Sequence, residues 1–309
     1  MGGAPRSGSS ARPENATSSR ETSGSRLDAE LVRRGLAPSR EAARRAVAAG
    51  LVTIDGSPAV KASRVVRPHQ CLALADPPGG EPGGAGSAAY LVGYVSRAGG
   101  KLASALDAFG LSPAGLRCLD AGASTGGFTD CLLQRGAAAV VAVDVGTDQL
   151  HPRLRRDPRV ESRERTDIRS LEPGHIGGAA GFTVADLSFI SLRLVLPALC
   201  RLTARDGPVL ALVKPQFEVG RAEAARRQGV IRHPSTWRLV LDEVVASADD
   251  LDMSLRDATV AGVPGAGGNV EFVVWLSRVG TGGPAVARES AVVLDRVVAE
   301  AAERAGVAP

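Results

Sequence analysis

Residues 117–129 read Arg117-Cys118-Leu119-Asp120-Ala121-Gly122-Ala123-Ser124-Thr125-Gly126-Gly127-Phe128-Thr129. The stretch predicts a strand over 117–120, a glycine-rich loop, and a helix opening near Gly127. Glycines let a backbone approach a ligand closely, and a helix N-terminus offers it free N–H groups. The loop lacks GK[ST], so it is not a P-loop. It does not fit GxGxxG either, which weighs against a dinucleotide such as NAD. A tight strand–helix connection without a ligand is the other reading at this point. Asp144 closes the next strand, predicted over 140–144, where an acidic side chain can hold ribose hydroxyls in nucleoside-binding α/β folds.

Outward from the loop, strands are predicted over 182–185, 209–213 and 270–276, with helical segments between several of them and an amphipathic helix over 286–305. This alternation implies an α/β domain with a mainly parallel, doubly wound sheet. Ligands of such sheets bind outside the carboxyl ends of the strands. Asp186 and Lys214 fall at two of those ends, and Lys101 and Glu271 complete a charged set. Composition marks the lysines. Of 37 basic residues only Lys61, Lys101 and Lys214 are lysine, and asparagine occurs only at Asn15 and Asn269. Lysine can lose its proton when desolvated, and arginine effectively cannot. Two lysines kept at strand ends in an arginine-rich chain are therefore candidates for proton chemistry.

The N-terminal third has a different character. Residues 1–24 are rich in Ser, Gly, Arg and Ala and predict a disordered tail. Residues 25–75 predict a small module with helices over 28–34 and 39–49, Ser39 capping the second and Gly50 stopping it. A strand over 51–54, a turn at Asp55-Gly56 and a strand over 59–60 follow. The run DPPGGEPGGAGSAA at 76–89 is a linker, and 90–309 is the α/β domain. The module holds nine basic residues against four acidic ones, while everything after Ala75 sums to −2. Arg40, Arg44 and Arg45 are expected to line one helix face, a patch suited to nucleic-acid phosphates.

The run RLDAELVRRGLAPSREAARRAVAAGLVTIDG from Arg26 closely resembles the S4 RNA-binding domain. The resemblance implies an α+β fold binding structured RNA through Arg26, Arg33, Arg40, Arg44 and Arg45. DAGASTGGF resembles the S-adenosylmethionine loop of FtsJ-like RNA methyltransferases. That likeness implies a Rossmann-like methyltransferase fold, with cofactor contacts from Asp120, Gly122, Ser124, Thr125, Gly126, Gly127 and Phe128. It also implies ribose binding by Asp144 and an adenine contact at Asp167. Lys101, Asp186, Lys214 and Glu271 match the Lys–Asp–Lys–Glu catalytic set of the FtsJ-like 2′-O-methyltransferases. In that role Lys214 handles the proton of the attacking ribose 2′-hydroxyl, and the two carboxylates orient the lysines.

The order of an S4 module, YVSR-x-G-x-K, DAGASTGGF, DLSFISL, VKPQFEVG and GNVEF resembles the TlyA family of ribosomal RNA methyltransferases over about residues 25–280. The resemblance implies a cytidine ribose in small- and large-subunit ribosomal RNA as substrate. One stretch departs from the family. Where relatives carry a Gly-rich loop before VVRDP, this chain has Arg226-Arg227-Gln228-Gly229-Val230-Ile231-Arg232-His233-Pro234.

Four scattered cysteines without a CxxC pair support neither a disulfide scaffold nor a zinc site, so no metal is expected. No apolar run approaches a membrane span and no signal pattern opens the chain, which implies a cytoplasmic protein with no membrane partner. One module of each kind suffices for a monomer. Two alternatives remain open on sequence: an RNA- or ribosome-binding protein with a silent methyltransferase domain, and a membrane-active haemolysin.

Overall fold

A computed structural model describes residues 24–74 and 94–308, apart from 35, 38, 49, 56, 68, 69, 71, 221–228, 266, 267 and 279–283. Residues 1–23 of the expected tail at 1–24, the linker at 76–89 and Arg226–Gln228 of the departing stretch lie outside these residues.

The N-terminal module begins with β1 (Ser25–Arg26) and runs directly into α1 (Leu27–Arg33) and then α2 (Arg40–Ala48). Ser39 Oγ accepts from the Ala42 amide at 3.2 Å, the N-cap bond expected of it, and Gly50 turns the chain at φ +72°. β2 (Val52–Ile54), β3 (Ser57–Pro58), β4 (Val65–Val66) and β5 (Leu72–Leu74) follow. They form a three-stranded sheet in the order β3-β2-β5, and β4 pairs with β1. Leu27 and Leu31 of α1 pack on Ala42, Ala43, Ala46 and Val47 of α2 and on Val52 and Ile54. The alanines at spacings of one, three and four let the two helices approach closely over a thin apolar core. The second hairpin strand is one position pair earlier than expected, at Ser57–Pro58 instead of 59–60. Ala59 is buried in the core and only Val60 points to solvent.

The larger domain starts with α3 (Ala98–Phe109), β6 (Arg117–Ala121), α4 (Gly127–Gln134) and β7 (Ala139–Val143). It continues with α5 (Pro152–Arg155), β8 (Val160–Arg163), β9 (Phe182–Ala185), α6 (Leu196–Leu202), β10 (Val209–Val213) and α7 (Pro215–Glu218). The last elements are α8 (Pro234–Asp249), β11 (Ser254–Val260), β12 (Phe272–Ser277) and α9 (Pro284–Ala305). Seven strands form one sheet in the order β11-β12-β10-β9-β6-β7-β8. β10, β9, β6, β7 and β8 are parallel, and β12 inserts antiparallel between β10 and β11.

Both faces of the sheet are covered, which is why its central strands read as nearly continuous apolar runs. Along β10, Val209, Ala211 and Val213 face one core with Leu196, Leu199, Trp237 and Leu241. Leu210 and Leu212 face the other, with Leu102, Leu106, Phe128 and Leu132 of α3 and α4. The period of two distributes one strand between two helical layers. Two edge strands, β8 and β11, were not expected. β8 reads Val-Glu-Ser-Arg and is mostly exposed, so it carries no apolar run to betray it. The expected strand at 270–276 begins at Phe272, leaving Glu271 on the approach to β12 instead of inside it.

Candidate active site

The order of strands reverses direction at β6, since β7 lies on one side and β9 on the other. The glycine loop leaves β6 at that switch point, where a crevice opens above the strand ends. Gly122 (φ +83°), Ser124 (φ +48°) and Gly126 (φ +93°) hold left-handed backbone conformations. A Cβ on Gly122 would lie 2.6 Å from the Asp186 carbonyl oxygen, so only glycine lets the loop close on the end of β9. A Cβ on Gly127 would meet Ser96 Oγ at 2.2 Å. The resulting pocket is lined by Ser96, Ala98, the loop residues Gly122 to Thr125, Gly127 and Phe128, and by Asp186, Ser188 and Lys214, while Gly126 turns the loop against Leu150 and Leu154.

Asp144 ties this loop to the end of β7. Its carboxylate accepts from the Ser124 and Gly146 amides, both at 2.7 Å. Asp120 is fully buried at the end of β6. Thr129 Oγ1 donates to its Oδ2 at 2.6 Å, and Oδ1 has no partner among the described residues. Burial pushes its carboxyl up to about 7. Asp167 caps a short 3₁₀ turn through the Arg169 amide and pairs with the Arg169 side chain at 2.6 Å, which holds it below the usual carboxylate range. Thr125 and Phe128 line the pocket with the glycines, Phe128 also sealing the α3–α4 core.

The four charged residues form two pairs. Lys101, in the first turn of α3, lies 2.5 Å from Glu271. Lys214, just after β10, lies 2.6 Å from Asp186 and donates to Ser188 Oγ at 2.9 Å. Lys101, Lys214 and Glu271 are all buried. Gln216 stands between the pairs: it follows Lys214 by two residues and its amide reaches Glu271 at 3.5 Å. Its Oε1 is buried without a partner among the described residues. Gly265 leaves room for Glu271, whose carboxylate lies 2.1 Å from where a Cβ would stand.

Asn269 explains its rarity. Its Oδ1 accepts from the Ile231 amide and its Nδ2 donates to the Gly229 carbonyl, which fastens residues 229–231 beside Glu271. Sequence reasoning missed three supports. Ser188 holds Lys214. Gln216 bridges the pairs. Buried Glu218 accepts from Ser191 Oγ and the Leu192 amide, anchoring the loop after Asp186 to α7. All three sit within motifs that were quoted, but Ser, Gln and Glu are common enough that no count singles them out. The same loop carries Phe189, at φ +63° and 89% exposed, its ring 5.1 Å from that of Phe217.

The five module arginines are all placed on the surface but not as one patch. Arg26, Arg40 and Arg44 converge on Asp28, and Arg33 pairs with Glu30. Arg45 departs from the expected shared face. It turns to Glu41 and to the carbonyls of Tyr94 and Val95 in the larger domain. Position i+5 lies about 140° around a helix from position i, so Arg45 cannot sit over Arg40 as Arg44 does.

A glycine-lined crevice at the switch point of such a sheet, beside two lysine–carboxylate pairs whose lysines are buried, defines a methyltransferase of the FtsJ-like class. The FtsJ-like methyltransferase family model matches residues 94–278, and the S4 domain model matches residues 25–70. The chain is 47% identical to the 16S/23S rRNA (cytidine-2′-O)-methyltransferase TlyA of Mycobacterium tuberculosis, over 81% of this chain and 89% of that one. It is 39% identical to the "Putative rRNA methyltransferase YqxC" of Bacillus subtilis, over 83% and 87%. The solved structure of a "putative hemolysin" from Streptococcus thermophilus superposes at a TM-score of 0.65 with 38% identity, covering 91% and 96%. The chain belongs to the TlyA family of FtsJ-like methyltransferases.

Proposed function

We propose that this protein transfers the methyl group of S-adenosylmethionine to a cytidine 2′-hydroxyl of ribosomal RNA, in the small and large subunits. One observation carries the reading: two lysine–carboxylate pairs with buried lysines stand beside the glycine pocket, and Lys214 and Asp186 line that pocket. The relatives' printed activities supply the base and the RNA.

The pocket suits the cofactor. Gly122 and Gly127 line it without a side chain, Gly126 lets the loop turn against Leu150 and Leu154, and Asp120 keeps a buried carboxyl oxygen unspent beneath the loop. Ser124, Thr125 and Phe128 complete that wall, while Asp144 and Asp167 stand at the ends of the next two segments for the ribose and the adenine. When bound, S-adenosylmethionine supplies an electrophilic methyl group on a sulfonium. As the neutral amine, its own extra proton released to solvent beforehand, Lys214 Nζ would take the 2′-hydroxyl proton while the ribose oxygen forms its bond to the methyl carbon and the carbon–sulfur bond breaks. Asp186 and Ser188 fix the position of that nitrogen. Lys101 and Glu271 form the second wall, held to the first by Gln216. The Phe189 ring, exposed and backed by Phe217, offers a stacking face to the base whose ribose reacts.

The S4 module, residues 25–75, grips the RNA through Arg26, Arg33, Arg40 and Arg44, and 90–309 is the catalytic domain. The protein works as a cytoplasmic monomer. Among the described residues no helix is long and apolar enough to cross a membrane. The test is transfer of labelled methyl to unmodified ribosomal subunits by wild type and Lys214→Ala. Label on ribose with wild type and none with the variant is expected. Label on a base, or no label from protein that binds cofactor, overturns the assignment.

A further inference from the structure

A negative charge lies buried beneath the surface assigned to RNA. Asp28, in the first turn of α1, is 0% exposed, and three guanidiniums from two other elements close over it. Arg26 of β1 binds it through two nitrogens, at 3.0 and 3.1 Å. Arg40 and Arg44, one turn apart on α2, reach it at 3.2 Å each. A tie between two helices needs one arginine. Three leave a local excess of two positive charges, and each arginine side chain remains about half exposed, at 47, 51 and 57%. Asp28 occupies only the Nε of Arg44 and one Nη of Arg40, so several N–H donors are left over.

Glu30, two residues on, holds exposed Arg33 and also Arg34, and the Arg34 pair shows what a purely structural pairing looks like here. Arg34 is only 21% exposed and spends further donors on the carbonyls of Gln70 and Arg67. The Asp28 arginines have no such inward partners among the described residues.

We propose that Asp28 is a positioning residue for RNA: it gathers Arg26, Arg40 and Arg44 into one preformed phosphate clamp. The proposal rests on the reading of the module as the RNA-binding part. Its logic is that mutual repulsion would spread three free guanidiniums, and long side chains lose rotamer entropy on binding. A buried carboxylate prepays that ordering while leaving the outer donors for phosphate. The consequence runs against simple charge counting, because removing an anion from this basic surface weakens RNA binding.

The test uses the full-length protein and unmodified small- and large-subunit ribosomal particles. Asp28→Asn is expected to weaken binding by about tenfold. The loss should fall on KM for the particle and leave the cofactor dissociation constant alone. Arg40→Gln should cost much less in the Asp28→Asn background than in wild type, the coupling expected of a shared clamp. A helix tie with no role in RNA binding would lower the melting temperature without that coupling. Asp28→Glu, which keeps the charge, is expected to recover most of the affinity and decides the matter should Asp28→Asn unfold the module. Equal or tighter binding by folded Asp28→Asn, or additive losses with Arg40→Gln, overturns the proposal. The Arg26→Gln/Arg40→Gln/Arg44→Gln triple variant separates the two failures. If it binds particles as wild type does, the RNA surface lies elsewhere and the underlying reading fails. If it loses binding while Asp28→Asn does not, only the clamp fails.

Discussion

The two charged regions of the molecule solve opposite problems with the same kind of pair. In the S4 module one buried carboxylate serves three half-exposed arginines. In the crevice two carboxylates, buried Glu271 and half-buried Asp186, serve two lysines, one each, and the lysines themselves are buried. The first arrangement leaves positive charge outside. The second leaves almost none outside and keeps two amines at the crevice. The choice of base follows: a guanidinium is a permanent, forked donor, whereas an amine can give up its proton.

The largest way to break this contrast is to exchange the bases. Lys214→Arg and Lys214→Met are each expected to lower kcat by about 10²–10⁴-fold, since neither a permanent guanidinium nor a thioether can take the proton. Arg44→Lys in the module should weaken particle binding only a few-fold, because a phosphate still meets a cation. Steady-state kinetics on ribosomal particles reads both. A Lys214→Arg enzyme retaining a tenth or more of wild-type kcat would show that Lys214 acts as a fixed charge, like its counterparts in the module.

Next in size is the glycine loop that lines the crevice. Gly122→Ala places a methyl group 2.6 Å from the Asp186 carbonyl at φ +83°. The loop must move, and cofactor affinity should fall by about 10–100-fold. Calorimetric titration with S-adenosylmethionine checks this, and particle binding by the module should be untouched. An unchanged dissociation constant would mean that the cofactor does not lie against this turn.

A smaller effect concerns Asp120, a carboxyl with no arginine at all. Its folded value of about 7 stands above the ordinary carboxylate value near 3.9 because burial disfavours the charge. Between those two values the folded state holds a proton that the unfolded state has released. Stability therefore falls as pH rises from about 4 to 7 and stays lower above that. Asp120→Asn is neutral throughout and keeps an acceptor for Thr129. The drop in melting temperature from pH 5 to pH 8 should shrink in the variant, and an equal drop would place the dependence in other groups.

How much of this was legible depended on rarity. Two lysines and one asparagine stand out in an arginine-rich chain, and all three prove to be buried and bonded at one crevice. The glycine loop was legible because its residues sit where a side chain would collide. Asp28 was not. On sequence it is one of four acids subtracted from nine bases, and nothing in a charge count says that three arginines close on it. Ser188, Gln216 and Glu218 were hidden for the same reason, their roles lying in contacts across 26, 55 and 27 positions. The edge strand β8 was lost because a polar strand at a sheet margin has no periodic apolar face.

The smallest effect lies where the two regions touch. Arg45 leaves the module's surface and donates to the carbonyls of Tyr94 and Val95, each at 3.3 Å. The Val95 amide in turn donates to Asp130 of α4 at 2.8 Å, and α4 is the helix that the glycine loop opens. Ser96, the next residue, lines the glycine pocket. One arginine thus joins the S4 module to a segment that lines this pocket, through hydrogen bonds that are long and partly exposed. Arg45→Gln should cost no more than about 1 kcal/mol of that attachment. Limited proteolysis between residues 76 and 89 should speed up a few-fold, while kcat on saturating particles and cofactor affinity change by less than twofold. If Arg45→Gln instead cut particle binding as deeply as Arg40→Gln, Arg45 would belong with the phosphate-facing arginines, and the division between the two regions would fall further along the chain.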